Sequence, residues 1–282
     1  MKISVLNYFA CPICHSTFVS SIHKKTKEGV LEAELKCEWC GERFYIKDGI
    51  ACFVSLSRKS TENIKKLRRT TIKQEIPKIW RRLFSRQEHA ALQKEWDWML
   101  SIIKKEKDAV HLDFATGTGR FLRNIISKTK GEIIVLERDY STCLELQYFL
   151  KKIKKYKRVS VICADARKMP FKDGIFDSVS SWHGLDEPKI ENAIKESKRI
   201  LKNGACFTAS GIHYQKGSKS FSIAKKHDIQ FIAKEAIMQA VKKTGFRKIE
   251  YKRFFQGKWN EKGSYLPVIG DFYSTYAIKA KK

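Results

Sequence analysis

The chain has 282 residues, 43% of them apolar, with 57 Lys and Arg against 30 Asp and Glu, a formal net charge of +27. Its length exceeds the usual single domain, and its apolar content suffices for a sizeable core. No apolar run approaches the roughly 20 residues needed to span a membrane, so membrane insertion is excluded, whereas a charge of this size points to a polyanionic partner.

The first eleven residues, MKISVLNYFAC, carry a lone Lys, an apolar run and a Cys. The run is too short for a secretory leader, and Tyr8 sits where a small apolar residue is wanted. Next come Cys11-Pro-Ile-Cys14 and Cys37-Glu-Trp-Cys40, two CxxC pairs separated by 22 residues. That spacing lets two knuckles complete one tetrahedral thiolate site for structural Zn2+. Residues 1–57 alone cannot bury much apolar surface, so metal binding would supply folding free energy that the small core lacks. Two disulfides are the alternative. The missing leader and the scattered Cys52, Cys143, Cys163 and Cys206 favour reduced thiols and a cytoplasmic protein. His15 and His23 could also ligate, but four thiolates fill a structural site.

Residues 58–107 are rich in charge and helix formers, with one proline, Pro77, that would start a helix. The aromatics Trp80, Phe84, Trp96 and Trp98 could stack on bases. Their near-helical spacing with Leu83, Leu92 and Met99 favours packing on the following domain instead. Charge is unevenly placed. Residues 1–57 hold seven basic and six acidic residues, whereas 58–107 hold fifteen and six, 141–158 six and one, and 216–282 sixteen and five.

From residue 108 the pattern becomes alternating β and α. Ala109–Phe114 reads as a strand that carries Asp113 near its end and feeds the turn Ala115-Thr-Gly117-Thr-Gly119. Glycines let backbone approach a ligand, and the free N–H groups of the following helix attract an anionic head. A nicotinamide site would want a third glycine where Leu122 stands, and a P-loop would want a Lys after the glycines. A plain connecting turn is the remaining alternative. Glu137 closes the run IIVLE 18 positions after Gly119, where a carboxylate at a strand tip can accept from a ribose diol. Residues 141–157 have helical spacing, and VSVICADA reads as a third strand ending at Asp165, which could accept from an adenine amino group.

The segment DARKMPFKDGIFDSV, Asp165 to Val179, resembles the acid, Pro-Phe, Asp-Gly, Phe-Asp pattern of class I S-adenosylmethionine-dependent methyltransferases, in the branch that includes many small-molecule and quinone methylating enzymes. The resemblance covers roughly residues 108–282. It implies a Rossmann-like α/β fold with a seven-stranded sheet whose last strand is antiparallel. Ile175–Ser181 would be the fourth strand, Glu187–Lys202 a helix, LKNGACF the turn into a fifth strand, and Lys234–Thr244 a helix before two closing strands. S-adenosyl-L-methionine would then be held by Asp113, Ala115, Gly117 and Gly119 at the methionine part, Glu137 at the ribose, Asp165 and Ala166 at the adenine, and Ser181 at the fourth strand's end. Two positions depart from the family pattern, Ala115 for a first glycine and Asn203-Gly204 for a glycine pair. The ribbon's CEWCGERFYIKDGI is similar to the second knuckle of zinc-ribbon proteins that activate tRNA and release-factor methyltransferases.

An acceptor would meet the carboxyl ends of the fourth and fifth strands. There SSWHGLDE offers Trp182 as a stacking surface and His183 as a base, since an imidazole titrates near neutral pH. Both could instead simply wall the cofactor. The Asn/Asp-Pro-Pro-aromatic sequence used on exocyclic amines is absent from this strand end, which disfavours adenine N6 and glutamine acceptors. Residues 211–230 could form a lid or a surface loop.

The sequence thus leads to a zinc ribbon over 1–57, a basic helical linker over 58–107 and a methyltransferase domain over 108–282. The expected acceptor is structured RNA docked on ribbon and linker. The alternatives are a small-molecule or lipid-like acceptor, with the ribbon as a partner or homodimer module, and an idle cofactor-binding protein.

Overall fold

A computed structural model describes residues 1–27, 29–54, 85–186, 190–260 and 266–282. Pro77, Trp80 and Phe84, with the helix start expected at Pro77, lie outside the described residues.

A 3-10 turn at Ile3–Tyr8 leads into two hairpins, β1 (Phe18–Thr26) with β2 (Gly29–Cys37) and β3 (Arg43–Lys47) with β4 (Ile50–Cys52). Then come α1 (Arg86–Leu100), β5 (Val110–Phe114), α2 (Leu122–Lys128), β6 (Glu132–Glu137), α3 (Tyr140–Lys152), β7 (Val159–Cys163) and β8 (Phe176–Ser181). The chain ends with α4 (Glu191–Ile200), β9 (Leu201–Tyr214), α5 (Lys219–Lys226), α6 (Lys234–Lys243), β10 (Arg247–Lys258) and β11 (Phe272–Lys281).

Strands β7-β6-β5-β8-β9 are parallel, and β11 enters antiparallel between β9 and β10. This is the seven-stranded order of the class I methyltransferase fold. Every residue of β5, β7 and β8 is buried, as a parallel sheet covered on both faces requires. Strand alternation sends Leu112, Phe114, Ile134, Leu136 and Phe207 toward α4 and α6, whereas Ile133, Val135, Val159 and Val161 meet α1, α2 and α3.

The sheet has eleven strands rather than the expected seven. The ribbon hairpins extend it because β4 pairs parallel with β7, Ala51 opposite Ile162 and Cys52 opposite Cys163, covering an edge that would otherwise present unpaired backbone. Around this joint Phe9 packs on Phe53 (5.1 Å between centroids) and Phe171 (5.9 Å). Met1, Val5, Phe9, Val30 and Leu35 share one buried cluster with the sheet residues Leu112 and Phe114. Fully burying one such side chain is worth about 1.5–3 kcal/mol, so the ribbon face stabilises its neighbour as well as itself.

Helix α1 opens on a capping box: Ser85 Oγ accepts from the Glu88 N–H (3.2 Å), and Glu88 accepts from the Ser85 N–H (2.6 Å). It packs on β10 and β11, with Trp98 5.7 Å from Phe254 and Lys279 Nζ 3.9 Å above the Trp98 ring. The run at 211–230 is built rather than loose. β9 continues to Tyr214, Ser218 caps α5, and the Ser220 N–H donates to Asp271 (2.6 Å).

Candidate functional site

The turn after β5 is left-handed at Ala115 (φ +52°), Gly117 (+54°) and Gly119 (+78°). A Cβ at Gly117 would meet nothing, so glycine is needed there for its φ and leaves open space above the backbone. At Gly119 a Cβ would come within 2.7 Å of Leu146 Cδ1, so that glycine sets how closely α3 approaches. Glu137 reaches this turn from the end of β6: its carboxylate accepts from Gly117 N–H (3.0 Å) and Arg138 N–H (2.8 Å). A cleft is lined by Ala115, Leu136, Glu137, Arg138, Ala164, Asp165, Ala166, Gly184 and Ile190. It therefore unites Ala115, Glu137, Asp165 and Ala166, named from the sequence, with an apolar wall of Leu136, Ala164 and Ile190 that the sequence reading missed.

Asp113 lies behind this cleft, not in its lining. It is buried and accepts from Ser180 Oγ (2.5 Å), which in turn meets His111 Nε2 (3.0 Å); His111 Nδ1 meets Ser178 Oγ (2.8 Å). Burial pushes the Asp113 carboxyl up to about 7, against the hydrogen bonds from Ser180 and Thr116. Burial likewise pushes His111 down to about 3, so the imidazole is neutral. The group ties β5 to β8 beneath the site. His111 was not singled out in the sequence, although a His in an otherwise apolar strand was the available signal.

Asp165 is gripped by Arg167. The guanidinium Nη2 lies 2.5 Å from Oδ2 and Nε 2.9 Å from Oδ1, and the Arg167 N–H donates to Oδ1 at 2.9 Å. Burial works against ionisation, but Arg167 outweighs it and holds the carboxyl below its ordinary value. The pair keeps Asp165 an acceptor at the rim of the cleft.

At the carboxyl end of β8, Gly184 comes so close to β5 that a Cβ would fall 2.5 Å from the Ala115 Cβ. His183 beside it is left-handed (φ +54°) and donates its N–H to Ser210 Oγ (3.2 Å). Trp182, expected to offer a face to the acceptor, has His183 stacked at 4.6 Å and the Arg120 guanidinium at 5.5 Å, and packs against Trp96 at 5.6 Å. Its indole N–H donates to Glu95 Oε1 (2.9 Å). Glu95, on α1, is fully buried and 3.6 Å from His183 Nε2, while its Oε2 has no partner. The Ser181 hydroxyl is likewise buried without a partner. Glu95 was not found from the sequence. It occupies the buried stripe Ala91, Glu95, Met99, a charged residue where helical spacing calls for an apolar one. Trp96 and Trp98 are half-buried and packed against Trp182 and Phe254, the packing that their helical spacing favoured.

The Sγ atoms of Cys11, Cys14, Cys37 and Cys40 all lie within 4.8 Å of one another, with Cys11–Cys40 at 3.7 Å and Cys14–Cys37 at 3.4 Å. Four thiolates about 2.3 Å from one Zn2+ would be spaced about 3.8 Å apart, so the set fits a tetrahedral metal. Burial opposes ionisation of Cys37, but the backbone N–H groups of Cys40 and Trp39 outweigh it and bring the thiol down to about 7.

Residues 112–204 match the family model described as methyltransferase domain. Over 121 residues the chain is 31% identical to the ubiquinone/menaquinone biosynthesis C-methyltransferase of Agrobacterium fabrum, covering 41% of this chain and 47% of that protein. The chain spans less than half the length of the curated relatives it matches. Among solved structures, phosphoethanolamine N-methyltransferase 2 of Haemonchus contortus superposes with a TM-score of 0.55 at 20% identity, covering 66% of this chain and 52% of that one. The [4+2]-cyclase SpnF superposes with a TM-score of 0.55 at 15% identity, covering 66% and 80%. The chain therefore has the class I, Rossmann-like fold, and its residues 112–204 are similar to a methyltransferase domain. SpnF, named for another reaction, is a reminder that this fold by itself does not fix the chemistry.

Proposed function

We propose that the protein transfers a methyl group from S-adenosyl-L-methionine to a small-molecule acceptor. One observation carries this reading: Glu137 at the tip of β6, the open glycine turn beside it and Asp165 at the end of β7 line up along three adjacent strand ends. A nucleoside bound along that row would set its ribose diol on Glu137, its adenine between Ile190 and Leu136 near Asp165 and Ala166, and its amino-acid head over Gly117 on the side of Ser181. The sulfonium supplies an already activated methyl. The protein's own task is to hold an acceptor atom in line with it and to exclude water. His183 and Trp182 stand on the acceptor side. Titration calorimetry with S-adenosylhomocysteine tests the cofactor assignment: micromolar binding lost in Glu137→Ala supports it, and no binding by the intact protein refutes it.

The small-molecule acceptor is favoured because a buried carboxylate, Glu95, sits behind Trp182 at the acceptor side, where it opposes a phosphate backbone, and because Trp96 and Trp98 are half-buried against Trp182 and Phe254. The names of the methyltransferases it resembles point the same way, to quinone and phosphoethanolamine acceptors. The net charge of +27 favours structured RNA as the second reading. We further propose that Cys11, Cys14, Cys37 and Cys40 hold a structural Zn2+.

A further inference from the structure

The buried Glu95 has a geometry that the cofactor does not use. Helix α1 carries it onto the acceptor side of β8, where Oε1 is spent on the Trp182 N–H and Oε2 has no partner. A carboxylate oxygen fully out of water and without a donor is expensive to maintain, so such an atom marks a place where a donor arrives. Two further buried groups at this strand end lack a hydrogen-bond partner, His183 Nε2, 3.6 Å from Glu95 Oε1, and the Ser181 hydroxyl. Tyr276, fully buried on β11, has its hydroxyl without a partner; it lies opposite Gly211, where a Cβ would come within 2.7 Å of that hydroxyl. The Tyr276 ring is held by His213 (4.0 Å between centroids) and Tyr251 (5.5 Å). Burial raises the Tyr276 hydroxyl well above its ordinary value, and the acids Asp186 and Glu95 add to the shift. Among the described residues no Lys or Arg pairs with Glu95, and the Arg120 guanidinium lies over the Trp96 and Trp182 rings.

We propose that this acceptor subsite takes a small aliphatic amine, its ammonium held by Glu95 Oε2. The assignment rests on the methyl-transfer reading. A carboxylate also offsets the repulsion between a sulfonium and an incoming cation, which would otherwise keep the two apart in a low-dielectric site. Chemically, the ammonium first gives one proton to the His183 imidazole and so to water. The freed nitrogen lone pair then bonds the methyl carbon, the carbon–sulfur bond breaks with its electron pair left on sulfur as a thioether, and the product is an N-methylammonium. A basic aliphatic nitrogen is nucleophilic enough to need no Asn/Asp-Pro-Pro-aromatic grip, in keeping with the SSWHG sequence at this strand end.

The probe is sinefungin, which carries an amine where the cofactor carries its methyl, compared with S-adenosylhomocysteine, which lacks it. The intact protein should bind sinefungin at least about tenfold more tightly than S-adenosylhomocysteine by calorimetry. Glu95→Gln keeps an acceptor for the Trp182 N–H and should bring the ratio close to one with S-adenosylhomocysteine affinity unchanged. Glu106→Gln, at an exposed position, should leave the ratio intact. A ratio near one in the intact protein, or a preference that survives Glu95→Gln, overturns the amine subsite while leaving the cofactor assignment standing. Failure of both ligands to bind sinks the methyl-transfer reading itself.

Discussion

Glu137 accepts the Gly117 N–H at 3.0 Å, so the acid at the tip of β6 and the glycine turn after β5 are one unit rather than two motifs. A ligand diol on Glu137 would meet a carboxylate already oriented by Gly117 and Arg138. Replacing it with Gln keeps the size and removes the charge. Hydrogen bonds to a charged group contribute about 1.5–3 kcal/mol, so Glu137→Gln should weaken S-adenosylhomocysteine binding by at least about tenfold in calorimetry. An unchanged affinity would detach Glu137 from the cofactor.

Asp113 gives a pH signature. Its carboxyl is pushed up to about 7 in the folded protein, whereas an unfolded Asp titrates near about 3.9. The folded state thus binds more protons over that interval, and the resulting penalty is absent below about pH 4, grows as pH rises toward 7 and stays constant above. His111, pushed down to about 3, acts in the opposite sense: its penalty appears as pH falls below about 6.5. Asp113→Asn should therefore melt higher than the parent at pH 8, by at least about 3 °C, with the gain gone by pH 4. A pH-independent difference between the two melting curves would contradict this.

The four thiolates should carry one zinc per chain. Elemental analysis of purified protein is expected to find close to one equivalent, lost in Cys37→Ser. Less than about one fifth of an equivalent in the intact protein would exclude the assignment.

Phe9 couples the N-terminal hairpins to the larger sheet through Phe171, with Phe53 of its own segment packed beside it. Truncating a buried Phe costs about 3–5 kcal/mol, so Phe9→Ala should lower the melting temperature of the whole chain, and chelating the zinc should do the same. Calorimetry showing a ribbon transition separate from an unaffected main transition would argue against the shared core.

The core sheet was legible because its signals are local. Apolar runs alternate with helical spacing, and Asp113, Glu137 and Asp165 each fall within two residues of a strand's end, where the next turn begins. The cysteine spacing was equally local. What the sequence concealed depends on partners far along the chain. The three residues of β4 are too short to show a period, and the partner that joins them to the main sheet, β7, lies more than 100 positions away. Glu95 looked like one more charge in a basic, helix-forming stretch. Its meaning came from Trp182 and His183, and only its place between Ala91 and Met99 hinted at burial. The grip of Arg167 on Asp165 lay two residues away, but adjacency alone does not say that a guanidinium turns back.

The most direct test of the account is transfer of tritiated methyl from S-adenosylmethionine to a small-molecule extract and, in parallel, to total RNA, with Glu137→Ala as control. Label in the small-molecule fraction, absent from RNA and lost in the variant, is the expected result. Label in RNA, or in neither fraction when the intact protein fails to bind the cofactor, would contradict it.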